Sequence, residues 1–283
     1  MRVFLFIIIF MFIAEAKPLF SNSEQAEISQ YINSLKELVI ATQKTRGLTN
    51  SYLNGNLIAL MLVQDAKNDM KKAIGKMESL ELASDPVINQ RATDVSNKLV
   101  ELNRKGFKLK PEVAFERYTQ EIEQILMLAQ AVGKRSAEHM TPFAQEASFV
   151  MMEKMLPLSE YVGQLRGMGA GIAAKGEITK EQKETLAIVI REIVAIKSEL
   201  KINIEKLRLK SEKNYSTKID AKTSKIDMMI EEYVEVAKKE FYKNEISLNP
   251  DEYFTKGTEI ITEIVLAYDE TNRAILNDSK GWI

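Results

Sequence analysis

From residue 23 onwards, apolar positions recur at the three- and four-residue spacing of a helix face, and no stretch alternates long enough to argue for a strand. The first stripe runs Ile28, Ile32, Leu35, Val39, Thr42, Arg46, Thr49 and Leu53, with Asn22 or Ser23 as its cap and Glu24 favouring its positive end. Asn54-Gly55-Asn56 is a turn. A second helix follows through Met61, Met70, Ile74 and Met77. Asp85-Pro86 supplies a cap and a proline at the first helical position of a third helix, with Val87, Val95, Leu99 and Leu102, that ends near Gly106.

Pro111 opens a fourth helix carrying Phe115, Ile122, Ile125 and Leu126, with a weak break expected around Gly133. A fifth runs from about Thr141 to Ala174 and ends at Gly176. Thr179 and Gln182 form a capping box for a sixth that extends towards Glu212. A seventh covers Lys218 to Tyr242, and Asn249-Pro250 starts the last, with Tyr253, Ile260, Ile264 and Leu276. The expectation is an all-α chain of about eight antiparallel helices in two packed bundles, because short connections make neighbours antiparallel.

Composition narrows the chemistry. The chain has 283 residues, 45% hydrophobic and 28% charged, with a formal net charge of −1, so no basic excess points to a nucleic-acid partner. It has no cysteine, which removes disulfides, thiol nucleophiles and thiolate metal sites, and one histidine, His139, which disfavours histidine metal sites and catalytic triads. The methionines, Met151, Met152 and Met155 among them, read as core filler. No acid/base pair stands out, and the expectation is a non-enzyme with neither cofactor nor metal.

The beginning of the chain reads as a secretory leader. Arg2 is followed by an apolar run from Val3 to Ala14, and Ala14-Glu15-Ala16 is an A-x-A cleavage site. The run is shorter than the roughly 20 apolar residues of a membrane span. We therefore expect residues 1–16 to be a signal peptide, residues 17–283 to form a single all-helical domain with no output domain, and the mature protein to be exported, into a periplasm in a bacterium. A retained anchor is the alternative.

Two arginines occupy places where a charge is costly. Arg46 continues the first apolar stripe, and its neighbours one turn away are Thr42, Gln43, Thr49 and Asn50. Arg166 is flanked by Val162, Gly163, Gly169 and Ala170. Arg117, Arg208 and Arg273 have acidic residues at helical spacing, whereas these two, like Arg191, do not. Each of the pair is followed by a glycine, Gly47 and Gly167, a residue kept inside helices where something must approach closely. A buried guanidinium without a protein partner needs an anion. Two such forks on separate helices suit a small planar oxyanion, with Gln43, Gln164, Thr49 and Asn50, and Tyr52 beside them, as neutral donors. The competing reading is that each arginine snorkels to water or meets a carboxylate of another helix.

The segment Gln43-Lys44-Thr45-Arg46-Gly47-Leu48-Thr49 resembles the first signature of the nitrate- and nitrite-sensing NIT domain, Gln-x-Glu-Arg-Gly-x-Ser. Gly163-Gln164-Leu165-Arg166-Gly167, followed by Gly176-Glu177-Ile178-Thr179, is similar to that family's second Arg-Gly segment, and Tyr253-Phe254 with Thr258 and Ile261 resembles its closing pattern. The resemblance implies an all-helical sensor that holds nitrate or nitrite between two bundles, gripped by Arg46 and Arg166. Thr45 departs from the family's glutamate, and Thr49 from its serine.

The expected function is thus an exported binding module for nitrate or nitrite that signals through a separate membrane-bound sensor or transducer, with a homodimer as a further option. The rival is a scaffolding bundle that binds another protein and no small ligand. The receptor reading expects the two arginines to face one another across a seam that contains no carboxylate.

Overall fold

A computed structural model describes residues 21–211, 213, 215–243 and 245–280, so the leader lies outside the described residues. Among the described residues the chain folds as helices without strands. Helices α1 (Ser21–Leu53), α2 (Ala59–Glu78), α3 (Pro86–Lys105) and α4 (Pro111–Ser136) form one bundle. The second comprises α5 (Pro142–Val150), α6 (Leu156–Lys175), α7 (Lys180–Lys210), α8 (Thr217–Phe241) and α9 (Pro250–Lys280).

Helices α5 and α6 are two halves of one long rod. They are joined by a π-helical turn at Met151–Met155, just ahead of Pro157. Proline has no N–H to give the preceding turn and its ring crowds the carbonyl there, so the helix widens rather than breaks. The fifth helix expected from the sequence is this rod, and the architecture is four helices against four.

Local chemistry explains the boundaries. Asp85 accepts hydrogen bonds from the Val87 and Ile88 amides at 2.9 and 3.2 Å, with Pro86 at the first helical position. The reciprocal capping box between Thr179 and Gln182 starts α7. Gly176 ends α6 in the left-handed region at φ 72°, where a side chain would be strained.

Four sequence expectations need correction. Ser23 lies inside α1 rather than capping it. Gly133 does not break α4, which continues to Ser136; its missing side chain leaves room for Met152, whose Cε would stand 2.9 Å from a Cβ there. Met61 and Val87 face solvent, and the buried stripes pass through Val63 and Ile88 instead.

The core is continuous through both bundles, with Leu35, Ile122, Leu158 and Ile264 among its members. Helix α1 packs antiparallel to α9 along the seam between the bundles. The half of this contact near the chain ends is polar: Gln25 Nε2 donates to Ile275 O (3.1 Å), Ser29 Oγ to Asn272 Oδ1 (2.7 Å), and Lys36 pairs with Asp269 (2.5 Å). The arginine pair lies towards the other end of the same seam.

Candidate functional site

Arg46 projects from α1 into the seam with 1% of its surface exposed, and Arg166 projects from α6 with 7% exposed. Their surroundings repeat. Arg46 stacks over the Phe115 ring at 4.7 Å and donates through Nη1 to Thr119 Oγ1 at 2.8 Å, both on α4. Arg166 stacks over the Phe254 ring at 4.6 Å and donates through Nη1 to Thr258 Oγ1 at 3.0 Å, both on α9. Helices α4 and α9 carry these residues in one shared pattern: Pro111, Phe115, Thr119, Ile122 and Ile125 answer to Pro250, Phe254, Thr258, Ile261 and Ile264.

The two glycines serve this arrangement crosswise. A Cβ on Gly167 would stand 2.7 Å from the Phe115 ring, and one on Gly47 would stand 3.9 Å from the Phe254 ring. Each phenylalanine therefore stacks on the arginine of its own bundle and abuts the Arg-Gly unit of the other. Gly163 gives way to Arg46, whose Nη2 would lie 3.2 Å from its Cβ, and Gly257 to Arg166, whose Cβ would lie 2.8 Å away.

The repeat does not extend to a carboxylate in both bundles. Glu160 of α6 binds Arg46 with both oxygens, Oε1 to Nη1 at 2.5 Å and Oε2 to Nη2 at 3.2 Å, and exposes 2% of its side chain. It lies six positions before Arg166; the residue six positions before Arg46 is Ile40, an aliphatic side chain that carries no charge. The seam thus contains a carboxylate that the sequence did not lead us to expect, and Arg46 is neutralised from within the fold. Distance along the chain hid it, since the partners are 114 positions apart.

Arg166 is in a different state. Among the described residues its only hydrogen bond is to Thr258, at the solvent edge of the seam, and its buried Nε has no acceptor. Burial, and then the neighbouring Arg46 charge, pull its pKa down from the usual arginine range to about 10. Near these three groups, Glu123 of α4 is pushed up by burial and by Glu160, but it stands on the exposed face, where water screens it.

The other expected site residues separate. Gln43 donates to Glu160 Oε2 at 3.0 Å and Gln164 to Glu160 Oε1 at 2.9 Å, so both amides are spent on the carboxylate, although Gln43 Oε1 remains unpaired. Thr49 is fully buried one turn beyond Arg46, where it and Tyr118 both line Gly106 and its Oγ1 has no hydrogen-bond partner among the described residues. Asn50 pairs with Asn54 at the helix end, at 3.2 Å, and Tyr52 packs on Phe107 with ring centroids 4.9 Å apart. Arg191, the third arginine without a local partner, keeps 71% of its side chain in solvent beside Glu192. Glu160, Phe115, Phe254, Thr119 and Thr258 are the members the sequence reading missed as a group.

A family model described as nitrate and nitrite sensing, NIT, matches residues 37–264, which takes in both Arg-Gly units and both phenylalanines. This chain belongs to the NIT family. That is a family of sensors. Among solved structures, the chain is similar to the NasR transcription antiterminator, with a TM-score of 0.74 at 15% identity over 93% of this chain and 71% of that one, which establishes a shared helical fold. No curated protein matches the chain. Among the described residues of this NIT chain, no helix is long and apolar enough to cross a membrane.

Proposed function

We propose that this NIT domain binds nitrate or nitrite in the seam between its bundles, on the Arg166 guanidinium with Arg46 beside it. One observation carries the reading: Arg166 is buried, has no carboxylate bound to it among the described residues, retains an unpaired Nε donor, and already bears the repulsion of a second arginine. A desolvated cation in that position gains most from an anion. The Nε edge of a guanidinium presents a fork whose two N–H groups match two oxygens in one plane, as nitrate and nitrite supply. Arg46 spends three of its N–H groups on Thr119 and Glu160 and contributes its field beside Arg166.

Binding alters the seam because the anion is attracted to α6 of one bundle and α1 of the other. The polar contacts between Gln25, Ser29, Lys36 and α9 hold the opposite end together, so the bundles close about that end. The apolar run from Val3 to Ala14 and the A-x-A motif support export, with the bound state read by a separate membrane-bound transducer. Ligand shifts the closed state only by its difference in affinity for the two arrangements.

Calorimetric titration with nitrate and nitrite, against chloride and sulfate, tests the site on the wild type and on Arg166→Met. Binding heat in the wild type and none in the variant is the expected result; equal nitrate heats in both refute it. A second reading, a scaffold that docks another protein, is favoured by the exposed Leu57, Ile58 and Met61 at the turn between α1 and α2. It expects no anion to raise the melting temperature.

A further inference from the structure

We propose that Glu160 sets the charge of the ligand this seam accepts, restricting it to monovalent oxyanions and rejecting divalent ones such as sulfate. The inference rests on the anion reading above and goes beyond it, since nothing in that reading assigns a role to a carboxylate. Three charged side chains are buried together, Arg46, Arg166 and Glu160, and they leave one surplus positive charge. A monovalent anion brings the desolvated group to neutrality. A dianion overshoots and leaves a net negative charge out of water next to Glu160, which costs several kcal/mol by like-charge repulsion and desolvation.

The position of Glu160 favours this role over simple anchoring of Arg46. Its oxygens are fully engaged: Oε1 accepts from Arg46 and Gln164, Oε2 from Arg46 and Gln43. Four donors from α1 and α6 fix the carboxylate as a charge and hold it off Arg166. It also stands at a position where the two bundles differ in charge. The Phe, Thr and Arg-Gly components occur in both bundles, whereas only one of the two equivalent positions, Ile40 and Glu160, carries a charge. Two carboxylates would neutralise both arginines and leave nothing for an anion; none would leave two charges and suit a dianion. One carboxylate leaves room for a single negative charge.

The test is calorimetric titration with sodium nitrate and sodium sulfate at matched ionic strength. The chains are the wild type, Arg166→Met, Glu160→Gln, Glu160→Asp and the double variant Arg46→Gln/Glu160→Gln. The readout is the ratio of nitrate to sulfate affinity, which a merely structural role would not move. Glu160→Gln should lower that ratio roughly tenfold or more, by admitting sulfate. Glu160→Asp preserves the charge and should preserve the preference. The double variant removes one charge of each sign, so its surplus matches the wild type and its ratio should too, even with weaker binding. It also strands neither member of the Arg46–Glu160 pair, and so keeps the test open if Glu160→Gln does not fold. An unchanged ratio in Glu160→Gln, with nitrate binding intact and abolished by Arg166→Met, overturns the role of Glu160 and leaves the nitrate site standing. Loss of nitrate preference in the double variant overturns it as well. No binding of either anion by any chain overturns both.

Discussion

Thr258 accepts from Arg166 the hydrogen bond that Thr119 accepts from Arg46, at 3.0 and 2.8 Å, each from the helix that follows the same bundle's arginine helix by three. The two bundles are thus variations on one plan, and the seam is where they present the same group to each other. What distinguishes the arginines is the company each keeps. One is clamped by a carboxylate, and the other rests on a ring and one hydroxyl.

That difference should separate the arginines in stability measurements without ligand. Arg46→Ala strands Glu160 as a bare buried anion, and breaking such a pair costs about 3–5 kcal/mol. Arg166→Met removes a buried cation that has no ion-pair partner, and an apolar side chain of similar reach should fit at no more than about 1 kcal/mol of loss. Urea unfolding of both variants in nitrate-free buffer checks the order; an equal or larger loss for Arg166→Met would contradict it.

Nitrate should also stabilise the wild type against heat, since a ligand that binds only the folded chain adds about 2.7 kcal/mol at a hundred times its dissociation constant. The melting temperature of Arg166→Met should not move over the same concentrations. Differential scanning calorimetry with chloride as the matched salt gives the comparison.

The depressed pKa of Arg166 has a definite sign. In the unfolded chain the guanidinium keeps its proton well into the strongly basic range usual for arginine, whereas burial in the folded chain lowers its pKa to about 10. Below pH 10 both states hold the proton, and the folded state bears the full cost of burying the charge. Between the two values the unfolded state binds more protons, so this group's contribution to stability rises with pH. The stability of Arg166→Met relative to the wild type should therefore begin to shrink near pH 10 and go on shrinking as the pH rises towards the ordinary arginine range. Nitrate, which favours the charged form, should shift that window upwards. Urea midpoints across the pH series decide it.

Glycine replacements should divide sharply on packing. Gly167→Ala drives a Cβ to 2.7 Å from the Phe115 ring, and overpacking of this kind costs about 1–3 kcal/mol. Gly171, one turn further along the same helix, has nothing within 4 Å, so Gly171→Ala should stabilise by up to about 1 kcal/mol through helix propensity. Thermal unfolding of the two variants tests the contrast.

The helical plan was legible because it is written in local spacing: the Asp85-Pro86 and Thr179 to Gln182 caps, Gly176, and the stripe from Ile28 to Thr49 all lie where their residues indicate. So were the two buried arginines. Their partners were not. A search one turn to either side of Arg46 sees only α1, and Glu160 reaches it from another helix. The matching segments at Pro111 and Pro250 were readable in principle. They are hard to align because α7 and α8, at 31 and 25 residues, outgrow α2 and α3, at 20 each. Gln43 and Gln164 were expected as neutral donors to an anion, and in the structure both donate to Glu160, a buried carboxylate that local spacing does not reveal.

The depth of the two guanidinium groups has a kinetic consequence. At the proposed site an ion has no direct path onto side chains that expose 1% and 7% of their surface, so capture there would require transient separation of the surrounding helices. The observed relaxation rate should climb with nitrate concentration and then level off at the rate of that opening, and the measured affinity is weakened by the fraction of time the entrance is shut. Loosening the entrance would speed both arrival and departure, giving a faster responder.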